Sequence, residues 1–127
     1  MTQRTLNPLC VQIGKDNVAR VVHDFYAKLL ADPLLAPYFA QLRDLAEHEA
    51  HITEYWWTAM GGRPGPHRPF DMIGRHKPMQ LNQVLFARWL ELFHQAMEEN
   101  LEPGPAGQWW QMAQAIGGNL QRILGVR

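Results

Sequence analysis

Proline and glycine gather in two short stretches of this chain, and the residues between them follow helical spacing. Residues 62–69 hold Pro64, Pro66 and Pro69 with Gly62 and Gly65, and Glu102-Pro103-Gly104-Pro105 forms the second break. Neither can be a long helix or a central strand, because proline fixes φ and removes an amide donor. Before the first break, Val18, Val21, Val22, Phe25, Tyr26, Leu29 and Leu30 recur at three-four spacing. Asp16 or Asn17 is the expected cap of that helix. Asp32-Pro33 stops it and starts a short one containing Leu34, Leu35, Tyr38 and Phe39. A second helix is predicted from about Leu42 to Met60, with Leu45, His48, Ile52, Tyr55, Trp56 and Ala59 on its inner stripe. Gly61-Gly62 ends it. One or two helical turns are expected within Phe70–His76, before Pro78. Then comes the strongest pattern: Leu81, Val84, Leu85, Trp89, Leu92, Phe93, Ala96 and Met97, from about Met79 to Asn100. A last helix, about Ala106 to Leu124, turns Trp109, Ala113, Ile116, Leu120 and Ile123 inward. No segment alternates with period two, so the expected class is all-α.

Composition narrows the function. A chain of 127 residues makes a single domain spanning 1–127, and 46% hydrophobic residues suffice for a core. Twelve basic and twelve acidic residues cancel, which argues against nucleic acid as a partner. No apolar run is long enough for a membrane span, and Met1–Leu6 has no apolar signal region, so the expected location is cytoplasmic. Cys10 is the only cysteine, which excludes an internal disulfide and an all-cysteine metal site.

Histidines carry the remaining information. Glu91-x-x-His94 has the spacing used in di-iron carboxylate bundles, but those need the motif twice and it occurs once. His48-Glu49-Ala50-His51 falls one residue short of a zinc-protease signature. His76 lies in a short helical segment just before the longest amphipathic helix. One histidine can hold a haem iron from one side when an apolar pocket covers the porphyrin. Five Trp, five Phe and three Tyr exceed what four short helices need to bury each other. Tyr26, inside an otherwise aliphatic stripe, and His48, on the next inner face, must each find a polar partner if buried.

Phe25-Tyr26, then His48 followed by Tyr55-Trp56, then His76 thirteen residues before Trp89-Leu90-x-Leu92-Phe93, resemble the truncated haemoglobins, most closely their third, bacterial group. The resemblance covers roughly Lys15 to Leu124. It implies a shortened globin, a two-over-two helical sandwich enclosing haem b, with 1–14 as an N-terminal extension and 62–69 as the loop before the proximal helix. It implies His76 as the iron ligand. Tyr26, His48 and Trp89 would be the distal ligand-binding residues, with His48 at the gate. Phe25, Phe39, Ile52, Leu85 and Phe93 would pack against the porphyrin. His51, one turn from His48, could serve the gate instead, but is expected to reach a haem propionate, with Arg75 and Arg68 as further candidates. Of the glycine pairs that mark the other groups, only Gly61-Gly62 is in place, and Gly117-Gly118 sits inside the last helix.

The implied partners are O2, NO, CO or peroxide, and a reductase. Three donors around the ligand suit NO or O2 redox chemistry, peroxide activation or sensing better than bulk O2 transport, and leave NO dioxygenase or peroxidase-like activity open. Two alternatives stand beside this one: a cofactor-free helical interaction domain, with Trp110 marking the contact surface, and the di-iron bundle.

Overall fold

The computed structural model describes residues 8–40, 42–65 and 72–126. Arg68, residues 1–7 of the extension and residues 66–69 of the proline-rich loop lie outside the described residues. Six helices follow one another: α1 (Leu9–Ile13), α2 (Lys15–Ala31), α3 (Leu45–Ala59), α4 (Met72–His76), α5 (Gln83–Asn100) and α6 (Pro103–Leu124). Tight 3-10 turns at Ala36–Phe39 and Lys77–Met79 lie in the connections, and no strand occurs among the described residues.

The first proline-rich break separates two helix pairs, and the second falls between the two members of the later pair, α5 and α6. α2 packs on α3, α5 packs on α6, and α2 lies across α5, which gives the two-over-two sandwich. Val18, Val21, Val22 and Leu29 on α2 are fully buried. Branched side chains of this size hold one rotamer in a helix and allow close approach. Leu30, one residue off that stripe, is 42% exposed, and Val84 and Ile123 at the edges of theirs are 67% and 60% exposed. The sequence reading drew all three stripes too wide. It also passed over Phe86, which is 1% exposed and packs near Trp89.

Helix ends depart from expectation in two places. Gly14, with a left-handed φ of 87°, turns α1 directly into α2, so Asp16 and Asn17 lie inside the helix and neither caps it. Asn17 instead donates from Nδ2 to the Ile13 carbonyl at 2.8 Å. α6 begins at Pro103 and not at Ala106, because a first-turn proline gives up only an amide that would have had no partner. Side-chain caps do occur on α3 and α5. Asp44 Oδ1 accepts from the Glu47 amide at 3.0 Å, and Asn82 Oδ1 accepts from the Leu85 amide at 2.9 Å.

The centre of the core is aromatic. Phe93 of α5 contacts Phe25 of α2, Trp56 of α3 and Trp109 of α6, with ring centroids 4.6, 5.3 and 5.4 Å away. Trp109 is 0% exposed, and its Nε1–H finds no acceptor among the described residues. Leaving a buried donor unpaired costs about 1–3 kcal/mol. Trp110 is part-buried, and its ring lies face to face with His94, 4.1 Å away and 4° from parallel.

Asp32 joins the end of α2 to α5. Its Oδ1 accepts from the amides of Leu34 and Leu35 at 2.8 and 3.3 Å, and its Oδ2 accepts from Arg88 Nε at 2.5 Å. Burial pushes this carboxyl up, but Arg88 and the two amides outweigh it and hold the group below its ordinary range. A lowered folded pKa stabilises the fold fully above the unfolded value, about 3.9, and that share is lost as pH falls through the folded value. Asp32→Asn should therefore lower the melting temperature at pH 7, and the gap to the parent should close below about pH 4. A gap that stays constant from pH 7 to pH 3 would contradict the charge-based account.

Candidate functional site

A cleft of about 250 Å3 opens where α2, α3 and α5 meet α4 and the two connecting segments. From α2 come Phe25 and Tyr26, from α3 His48, Ile52, Tyr55 and Trp56, and from α5 Trp89. α4 supplies Arg75 and His76. The spacing explains why the wall forms. Phe25 and Tyr26 are about 100° apart on their helix, so one can face the core while the other turns to the cleft. His48 and Ile52 are one turn apart and share a face of α3.

Two polar groups sit deep in this apolar lining. The Tyr26 hydroxyl and His48 Nε2 are hydrogen-bonded at 2.8 Å, their rings perpendicular with centroids 5.1 Å apart. Phe39 closes on Tyr26 edge-on at 5.8 Å. Burial raises the Tyr26 pKa above its ordinary value, Glu49 raises it further and Arg75 opposes, so the phenol keeps its proton at neutral pH. His48 moves the other way: burial first, then the positive charge of Arg75, His51 and His76, lowers its pKa and favours the neutral ring. Residues of α3 and α4 thus line the same cleft. The His76 imidazole stands edge-on to Trp89, with centroids 6.1 Å apart. Tyr55, also in the wall, has its phenol pKa raised by burial.

The chemistry available here is specific. An imidazole on one wall can bond a metal, a tyrosine–histidine pair on another can donate or accept, and a guanidinium on the same short helix can meet a carboxylate. Among the described residues there is no group of three or more His, Cys, Asp or Glu placed to hold a bare metal ion. Glu91 pairs with Arg88, and His94 stacks on Trp110, so the single Glu-x-x-His motif is spent outside the cleft.

Of the residues expected at the site, Phe25, Tyr26, Phe39, His48, Ile52, Arg75, His76 and Trp89 line the cleft. His51, Leu85 and Phe93 do not. Leu85 and Phe93 are buried in the core behind the wall, where Phe93 backs Phe25 and Trp89. His51, half-buried on α3, acts on His48 through its charge. Leu35, Tyr38, Leu42, Met79 and Leu81 complete the lining without having been expected there. All five lie in or beside connections; spacing places Leu81 on an inner stripe and Leu35 and Tyr38 in a short apolar cluster, but does not say that they face a cavity.

Residues 11–118 match the family described as bacterial-like globin. A sequence comparison with curated proteins finds no match. Among solved structures, the truncated oxygen-avid haemoglobin of Bacillus subtilis superposes with a TM-score of 0.77 at 23% identity, covering 90% of this chain and 98% of that one. The group II truncated haemoglobin of Bacillus anthracis gives 0.78 at 19% identity, with 92% of each chain covered. The group III truncated haemoglobin of Campylobacter jejuni gives 0.73 at 23% identity, covering 98% of this chain and 95% of that one. The fold is thus the two-over-two sandwich of truncated haemoglobins, and no helix among the described residues is long and apolar enough to cross a membrane. With most of its length matched, the chain belongs to the bacterial-like globins, a haem- and oxygen-binding family.

Proposed function

We propose that the cleft holds haem b, with His76 as the iron ligand, and that the protein is a group III truncated haemoglobin acting on O2, NO or peroxide. The observation that carries this reading is the hydrogen-bonded Tyr26–His48 pair lining the same aromatic cleft as His76. The residues fit the group: an imidazole for the iron, Phe25, Phe39 and Ile52 for the porphyrin faces, and Arg75 for a propionate at the rim. His51 remains a second propionate candidate. When bound, haem supplies an iron whose sixth position takes O2, NO or CO.

The chain's own part is to set the polarity there. Tyr26 stays protonated and His48 neutral, so the pair shares its protons in one of two ways. If His48 carries its proton on Nε2, it donates to Tyr26, and the Tyr26 hydroxyl is free to donate into the cleft. If Nε2 is bare, Tyr26 donates to His48, and the indole N–H of Trp89, which can only donate, serves the ligand alone. A hydrogen bond to a charged acceptor is worth about 1.5–3 kcal/mol, so two would slow O2 release by roughly a hundredfold or more. Such retention suits redox chemistry or sensing and defeats delivery. A cytoplasmic setting with a reductase that renews the ferrous iron fits this use.

His76→Gly should lose its Soret band when purified and regain it with added imidazole, while His94→Ala keeps the parent spectrum. Equal loss in both variants would refute the ligand assignment. Tyr26→Phe and Trp89→Phe should each raise the O2 dissociation rate by about tenfold or more, at about 1.4 kcal/mol per tenfold. CO, which takes less charge from iron, should respond severalfold less. Equal changes for both gases would make the effect steric and remove the polar pocket.

A further inference from the structure

The haem site gives Trp109 and Trp110 no task, yet both belong to a path made of one ring contact and one backbone link. Trp56 forms part of the cleft wall, and its ring centroid lies 5.8 Å from that of Trp109 in the core. Trp109 is bonded in sequence to Trp110, which is part-exposed and stacked on His94. Three indoles therefore run from the cleft, through the core, to the surface.

Packing alone does not explain the middle one. Phenylalanine would fill most of that space without burying a polar atom, whereas the Trp109 Nε1–H is fully enclosed with no acceptor among the described residues. A buried donor left unpaired in this way calls for a reason beyond packing. Redox chemistry supplies one. An indole that gives up an electron becomes a much stronger N–H acid, and losing that proton traps the vacancy on the ring. Trp109 has nothing to take its proton, so a vacancy there moves on. Trp110 has solvent beside it and a flat imidazole against its face, so a vacancy there can settle.

We propose that Trp56, Trp109 and Trp110 form a relay that supplies single electrons from the surface to the cleft when hydrogen peroxide reacts there. The inference rests on the haem reading above. Peroxide, in breaking its O–O bond, takes up two electrons and two protons and leaves as two waters. Both electrons are drawn at the cleft: the relay replaces one of them, and an ascorbate- or thiol-class reductant replaces the other there directly. An electron passes from Trp56 to the cleft, from Trp109 to Trp56 and from Trp110 to Trp109. The Nε1 proton of Trp110 goes to water, leaving a neutral indolyl radical on that residue. An ascorbate- or thiol-class reductant restores the indole by giving it a hydrogen atom. Without one, dioxygen adds to the ring.

The test treats the haem-loaded protein with hydrogen peroxide in air and locates added oxygen by peptide mass spectrometry. Expected is oxygen on Trp110, suppressed by ascorbate and absent when haem-free protein is treated alike. Trp109→Phe should cut the Trp110 product severalfold and shift oxidation to Tyr26 and Trp89. Should that core change disturb folding, Trp110→Phe, at a part-exposed position, should still hasten Soret bleaching per peroxide consumed. Undiminished Trp110 oxidation in Trp109→Phe, equal oxidation without haem, or unchanged bleaching in Trp110→Phe would each overturn the relay. A haem-loaded protein whose Trp110 stays unmodified overturns this inference alone. A protein without a Soret band overturns the haem reading and the relay together.

Discussion

The crossing of α2 over α5 is the contact on which the other positions depend. Its middle is Phe25 against Phe93, ring centroids 4.6 Å apart, with fully buried valines on the α2 side. Once that contact fixes the rotation of α2, Tyr26 follows at its set angle and turns from the crossing to the cleft. The same contact fixes α5, and Trp89, one turn before Phe93, comes to the cleft with Phe25 edge-on beside it at 5.4 Å. Burying two such aromatic side chains contributes roughly 3–6 kcal/mol, so the crossing both holds the fold and aims the site. α3 then takes its place by adding Trp56 to the Phe93 cluster, which carries His48 to within bonding distance of Tyr26.

Much of this was written in spacing. The inner stripes of α2, α3 and α5 gave Tyr26, His48 and Trp89, because a side chain on an inward stripe must face either core or cavity. Spacing does not say which of the two. Phe93 and Leu85 share the α5 stripe with Trp89, yet they pack behind the wall, since depth along a helix axis is set by the partner helices. Nor does periodicity reach the connections. Leu35 and Leu42 line the cleft because short turns fold back over it, a property of tertiary closure that no helical period carries. Where the proline rule failed, it failed for a local reason: Pro103 and Pro105 read as a break but occupy the one helical turn that tolerates them. Nor does spacing reveal what Trp110 rests on, since its partner, His94, lies sixteen positions away on another helix.

The walls of the cleft differ in construction. α2, α3 and α5 are helices of 17, 15 and 18 residues, tied by aromatic contacts and by the Asp32–Arg88 ion pair. Their polar groups are held before any ligand arrives, so reorganisation on binding is small. His76 and Arg75 stand on a five-residue helix that leans on the far end of α6.

That short helix has a thermodynamic consequence. Five residues close barely one turn of backbone bonds, far below the length at which a helix in water sustains itself against nucleation. Its order must be borrowed from α6 on one side and from whatever bonds His76 on the other. Binding at His76 and ordering of this segment are then linked equilibria: each favours the other by the same free energy, and the folded state gains as ligand concentration rises above the dissociation constant. The loaded protein should accordingly unfold at a higher temperature than the empty one, with the gain concentrated at this end of the molecule. On the proposed haem reading, the wall that captures the cofactor is the part of the fold that the cofactor completes.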